Sequence, residues 1–260
     1  IYLKSEKYGL ALPYLKMLRY NDPDNLNAQI KLGLVFMDRK EFKESIKVFD
    51  DILSVNPDSD RVQFYLGTTY EEMKEYKKAI QYFEQIDSKS RLFEDATLEV
   101  AYLYQVIDER DRAKEYLYSS IEKVPTYSQF YISLARLEVK TDQLPKAIDI
   151  LKDCVKVFPE DETVRYYLGD LLESVGKMEE ALQQMEEVLR INPQNANALN
   201  FLGYIWTTLG VRLDDAGKMI KRALTLKPDN EYFLDSWGWY LYSTGKTKEA
   251  VIELEKAFSI

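Results

Sequence analysis

Residues 162–195 read ETVRYYLGDLLESVGKMEEALQQMEEVLRINPQN, and their spacing decides the fold. Apolar side chains fall at Leu168, Leu171 and Leu172, then at Leu182, Met185, Val188 and Leu189. Helical intervals on both sides of a break near Gly176 predict two amphipathic helices. Pro193 ends the second helix, because proline lacks the N–H that a continuing helix needs and biases its predecessor, Asn192, away from helical geometry.

The same skeleton recurs outward in both directions every 34 residues. A first small residue stands at Gly33, Gly67, Ala101, Ala135, Gly169 and Gly203, and then at Gly238 after an interval of 35. A second follows at Ser45, Ala79, Ala113, Ala147, Ala181, Ala216 and Ala250. Small side chains let two helix backbones approach closely, where larger ones hold them apart. Prolines close most units at Pro57, Pro125, Pro159, Pro193 and Pro228, with Pro23 in the same phase. Gly176, Gly210 and Gly245 sit at the turn between the paired helices, where glycine supplies the left-handed conformation that ends a helix. A period of this length marks stacked helical pairs.

On these residues the chain resembles the tetratricopeptide-repeat family. Leu66, Gly67, Tyr70, Ala79 and Phe83 follow that family's pattern, as do Leu202, Gly203, Trp206, Ala216, Ile220, Ala223 and Pro228. The resemblance implies an all-α, right-handed solenoid of antiparallel helix pairs, forming one domain over 1–260. Full repeats are expected at 26–59, 60–93, 94–127, 128–161, 162–195 and 196–230, with partial ones at 1–25 and 231–260. Four departures stand out. Arg91 replaces a closing proline, which predicts a looser junction at 86–93. Glu138 occupies an apolar position. One extra residue falls within 210–215, and Pro13 should kink its helix or mark a late start.

Composition narrows the function. The 46% hydrophobic content is ample for a continuous core, while 10 glycines and 8 prolines are too few for long linkers. No apolar stretch approaches the roughly 20 residues a membrane span requires. A net charge of −9 argues against a nucleic-acid partner and leaves a basic one open. The single cysteine, Cys154, excludes an internal disulfide and reads as a buried packing residue. The chain begins with Ile1 in mid-repeat, with Tyr2 near the end of a first helix, and finishes on Phe258, Ser259 and Ile260 without a polar cap. Solenoids need such caps. The sequence is therefore expected to be an excerpt of a longer protein, or to self-associate through its ends.

Catalytic signals are absent. Without histidine there is no His-based triad, and a lone cysteine completes no zinc site. No metal or cofactor is expected. The run from Ser243 to Thr247 imitates the tail of a phosphate-binding loop, but Tyr240 stands where that motif needs glycine. Acidic pairs such as Glu179 with Glu180 read as solvated helix faces.

The resemblance further implies that the first helix of each repeat lines a concave inner wall. Carried onto this sequence, that wall comprises Arg61, Phe64, Thr68, Leu98, Tyr102, Gln129, Ile132, Arg136, Tyr166, Asp170, Asn197, Asn200, Tyr204, Tyr232, Asp235, Trp239 and Tyr242. Aromatic side chains give large contact area at modest entropic cost, so such a wall suits a peptide or protein segment. With 20 tyrosines in the chain, some must instead pack between helices. The family's carboxylate clamp is missing, since its lysine position holds Ile30, Phe64, Leu98, Ile132, Tyr166, Asn200 and Asp235. The asparagine ladder of the glycosyltransferase superhelix is missing as well. A looser similarity, in 199–215, 223–235 and 86–101, is to bacterial tetratricopeptide lipoproteins, and implies a periplasmic, outer-membrane-tethered setting in preference to the cytoplasm. The expected function is a non-catalytic scaffold or adaptor. The alternatives are an assembly module or the recruiting arm of an enzyme lying outside this segment.

Overall fold

The computed structural model describes residues 8–22 and 24–260, with side chains from residue 11 onward, so the expectations for Tyr2 and Pro23 lie outside it. The described residues form helices and turns without a strand. The chain divides into two compact units, Ile1–Leu134 and Ala135–Ile260.

The first unit contains α1 (Tyr8–Asn21), α2 (Leu26–Asp38), α3 (Phe42–Val55), α4 (Asp60–Glu72), α5 (Tyr76–Phe83), α6 (Phe93–Val106) and α7 (Arg110–Lys123). Helix α8 (Ser128–Lys140) spans the division. The remainder of α8 is followed in the second unit by α9 (Leu144–Val157), α10 (Glu162–Ser174), α11 (Met178–Ile191), α12 (Ala196–Leu209), α13 (Leu213–Leu226), α14 (Glu231–Ser243) and α15 (Thr247–Ser259). Short turns force sequential neighbours to fold back on each other. The pairs α2 with α3, α4 with α5, α10 with α11, α12 with α13, and α14 with α15 pack most extensively.

The small positions explain that packing. A Cβ built on Gly67 would lie 2.6–2.7 Å from ring atoms of Phe83, and one on Gly203 would lie 2.9 Å from the Ala216 carbonyl oxygen. The second small residues, Ala79, Ala113, Ala147, Ala181 and Ala216, are completely buried. Ser45 at the same position donates from Oγ to the Gly33 carbonyl at 2.9 Å and locks α3 onto α2. Apolar faces then join into continuous cores. In the first unit Leu15, Ile30, Val35, Phe49, Ile52, Val62 and Leu66 form one cluster. In the second, Met185, Val188, Leu202, Trp206 and Ala216 form another. Burying each large side chain contributes about 1.5–3 kcal/mol.

The turns carry a regularity beyond the glycines. Gly176, Gly210 and Gly245 have φ of 76°, 68° and 82°. At matching positions in earlier pairs, Lys40, Lys74, Asp108 and Asp142 adopt φ of 58–61°. All seven therefore place a left-handed residue just after the first helix, whatever its type.

The departures have structural counterparts. Helix α5 stops at Phe83 after 8 residues, whereas α3 runs for 14. Residues 84–92 are then held by Ile86 N–H donating to the Phe83 carbonyl, Ser90 N–H to that of Asp87, and Lys89 N–H to the Asp87 carboxylate. Ile86 is buried, so the junction is an anchored loop rather than a loose one. The extra residue near 210 is absorbed by a second left-handed residue, Arg212 at φ 48°, whose guanidinium lies 3.8 Å from the Trp206 ring centroid. Pro13 lies inside α1 and does not mark its start. Glu138 is buried and accepts from Thr141 Oγ1 at 3.4 Å.

Candidate functional site

Three helices of the second unit, α10, α12 and α14, hold the site. Each begins on a side-chain cap that satisfies free N–H groups of its first turn. Asp161 accepts from Thr163 and Val164, Asn195 from Ala198 at 3.0 Å, and Asn230 from Phe233 at 3.1 Å. Glu162, in the first turn of α10, accepts from Asn192 Nδ2 at 3.2 Å and Asn195 Nδ2 at 3.1 Å, tying the start of α12 to α10. Helices α12 and α14 pack directly. These ties fix the relative heights of the side chains they present.

A groove of about 700 Å³ opens between them, lined by Tyr166 and Asp170 from α10, and by Asn197, Asn200, Phe201 and Tyr204 from α12. Tyr232, Phe233, Asp235 and Ser236 from α14 and Lys227 and Asn230 from the preceding loop complete it. Phe233 belongs to the core, and Tyr166 and Phe201 lean on apolar clusters, while Tyr204 and Tyr232 stand out into solvent. Partial desolvation raises the Asp170 carboxyl above its ordinary value, although the residue stays open to solvent. Burial and the neighbouring Asp170 charge raise the Tyr166 phenol. Asn200 buries its Oδ1 with no hydrogen-bond partner. Lys227 Nζ reaches Asn197 Oδ1 at 3.4 Å along one edge.

Seven of the residues expected on the inner wall thus share one groove: Tyr166, Asp170, Asn197, Asn200, Tyr204, Tyr232 and Asp235. Trp239 and Tyr242 lie further along α14, exposed, and stack on each other at 5.8 Å. The Arg136 guanidinium lies over the Tyr167 ring at 4.6 Å.

In the first unit the expected residues sit in varied surroundings. Arg61 donates from Nε to Tyr65 Oη at 3.2 Å, and Thr68 Oγ1 donates to the Phe64 carbonyl at 3.1 Å. Phe64 is half-buried with its ring edge-on to Phe83 at 5.2 Å. Leu98 is half-buried, whereas Tyr102 and Gln129 are exposed. Ile132 is buried to 1% exposure, so its side chain belongs to the core and presents no binding surface. The inner-wall pattern failed there because a helix position that faces a groove in one repeat can be roofed over in another.

Sequence reasoning missed Lys227, Asn230, Phe201, Phe233 and Ser236. The two loop residues carried a usable signal. Asn230 stands 35 positions after Asn195, as the cap of the next first helix, and Lys227 precedes the closing Pro228. The phosphate-loop imitation resolves into the end of α14, the left-handed Gly245 and the start of α15, a helix–turn–helix with no preceding strand. Cys154 is buried and free. No helix among the described residues is long and apolar enough to cross a membrane.

No curated protein matches the sequence. Solved structures do. One chain of the APC/C hetero-tetramer Cut9–Hcn1 aligns with 97% of this chain at 16% identity and a TM-score of 0.57. The match takes in 50% of that protein, so this chain spans half its length. MamA 41-end from Desulfovibrio magneticus RS-1 aligns over 64% of this chain and 93% of its own, at 16% identity and a TM-score of 0.54. A further MamA structure covers 66% and 94% respectively, at 21% identity and a TM-score of 0.51. At these identities the likeness is one of fold. The tetratricopeptide repeat profile matches residues 1–54, 31–91, 132–196 and 176–231. Those matches take in well over half of the sequence, and the chain belongs to the tetratricopeptide-repeat family.

Proposed function

We propose that this chain is a non-catalytic scaffold that takes a peptide or protein segment into the groove formed by α10, α12 and α14. Tetratricopeptide stacks serve generally as protein-interaction scaffolds. The observation that carries the reading is the groove itself, where seven residues assigned to the inner wall converge on a space of about 700 Å³. Tyr204 and Tyr232 supply exposed ring surface, with backbone-binding amides from Asn197 and Asn200 beside them. The test is a Tyr204→Ala/Tyr232→Ala variant in a binding assay with peptides selected by the wild-type chain. Loss of binding with unchanged helical content supports the reading, whereas undiminished binding refutes it.

The exposed apolar residues Val251, Ile252 and Phe258 of α15 favour a second reading, in which two copies of the chain pack through that helix. Sedimentation that gives a strict monomer at all concentrations removes it. The likeness of 199–215 and 223–235 to bacterial lipoproteins supports an envelope setting, which fractionation of the native cell would test.

A further inference from the structure

The groove of the second unit is unbalanced in its hydrogen bonding. Asp170 and Asp235 line it, both exposed to solvent, and neither has an ion-pair or hydrogen-bond partner among the described residues. Some carboxylates outside it are ion-paired, as Glu180 is with Lys152 at 2.6 Å and Glu160 with Arg190 at 2.7 Å. Asn200 adds a buried acceptor oxygen that meets no donor. Leaving such a group unpaired is destabilising. Partial desolvation at the groove wall disfavours the charged form of Asp170 although the residue stays open to solvent, and no cation lies against it. The lining cation, Lys227, sits at the edge on Asn197. The groove therefore presents a surplus of acceptors from three helices together with open aromatic rings.

We propose that the groove recognises an arginine of its partner segment, with the guanidinium donating to Asp170, Asn200 and Asp235 and its face lying on Tyr204 or Tyr232. A guanidinium answers each feature. It has five N–H donors and no acceptor, a charge opposite to that of the two carboxylates, and a planar face that stacks on aromatic rings. Lysine offers a compact ammonium without that stacking plane. The charge preference is the reverse of a carboxylate clamp, whose lysine positions this sequence lacks. The inference rests on the groove-binding reading above and adds the chemistry of the occupant.

The test uses the full chain to select from random twelve-residue peptides displayed on phage. The retained peptides are then synthesised with each arginine replaced in turn by citrulline, which keeps the shape and loses the charge. Arginine enrichment is expected. Citrulline should weaken binding about tenfold or more, as loss of a charge-assisted hydrogen bond implies. Asp170→Asn/Asp235→Asn should do the same, and the control Glu179→Gln/Glu186→Gln, which removes equal charge from exposed positions on α11, should change the affinity less than about twofold. Three results overturn the proposal while sparing the groove: selected peptides without arginine that still need Tyr204 and Tyr232, a preference for acidic peptides, or equal losses in both charge variants. If no peptide is selected, or binding ignores Tyr204 and Tyr232, the groove reading falls together with this one.

Discussion

A rule of complementary size links the first small position to the residue 16 places later, and the pair Gly67 and Phe83 tests it. A methyl group added at Gly67 would come within 2.6–2.7 Å of three Phe83 ring atoms, where ordinary contact begins near 3.4 Å. The ring is 1% exposed and edge-on to Phe64, so it has little room to move. Overpacking of this kind costs about 1–3 kcal/mol, and the better helix propensity of alanine returns up to about 1 kcal/mol. Gly67→Ala alone should therefore lose about 1–2 kcal/mol. Phe83→Leu alone opens a cavity and should cost a similar amount. The chain already contains the double combination. Ala101 with Leu117 and Ala135 with Leu151 are buried to 2% exposure or less at the same offset. Gly67→Ala/Phe83→Leu should therefore be more stable than the summed single losses by about 1–2 kcal/mol, within the range for touching residues. Urea unfolding followed by far-UV circular dichroism measures all four corners of the cycle. Losses that add to within about 0.5 kcal/mol would refute the size rule.

Three further outcomes follow from the same geometry. Lys74→Gly should raise the thermal midpoint through about 0.5–1 kcal/mol, because Lys74 is held at φ 60° where glycine has no Cβ penalty, while Gly176→Ala should lose about 1 kcal/mol; a loss at Lys74 contradicts this. Burial, with Glu99 and Glu72 nearby, raises the Glu71 pKa above that of an ordinary carboxylate. Its ionised form is thus disfavoured in the folded chain, and that penalty fades as pH falls through the raised value and the unfolded value of about 4.3. Glu71→Gln should stabilise at neutral pH and lose its advantage in acid, and an equal advantage at both pH values in urea titrations would count against the sign. Burial, followed by the nearby Asp161 charge, pushes the Cys154 thiol up to about 12. It should resist thiol reagents at mildly alkaline pH until the chain unfolds, so fast labelling of folded protein would contradict its burial.

Much of the fold is legible in the sequence because its determinants are local and recur. Gly203 and Ala216 announce a close helix crossing through their size, and Gly176 announces a turn through its freedom at positive φ. Lys40, Lys74, Asp108 and Asp142 adopt the same turn without announcing it, since a lysine does not advertise a left-handed backbone. Only their register with Gly176 gives them away. The missing proline at Arg91 marked an altered junction, but the early stop of α5 at Phe83 depends on tertiary anchoring by Ile86. The groove was legible where consecutive first helices present the same face, as at Tyr166, Asn200 and Asp235. It was illegible where tertiary packing decides, as at the buried Ile132. Lys227 and Asn230 escaped because a pattern built on helices does not read the loop between them.

The central claim is that a polypeptide segment occupies the space between α10, α12 and α14. A photocrosslinking side chain placed at Tyr232, inside the groove, and separately at Tyr118, exposed on α7, tests it with the tightest phage-selected peptide. Crosslinking from Tyr232, competed by unlabelled peptide and absent from Tyr118, is the expected result. Equal crosslinking from both positions, or none from Tyr232 while the peptide still binds, would contradict it.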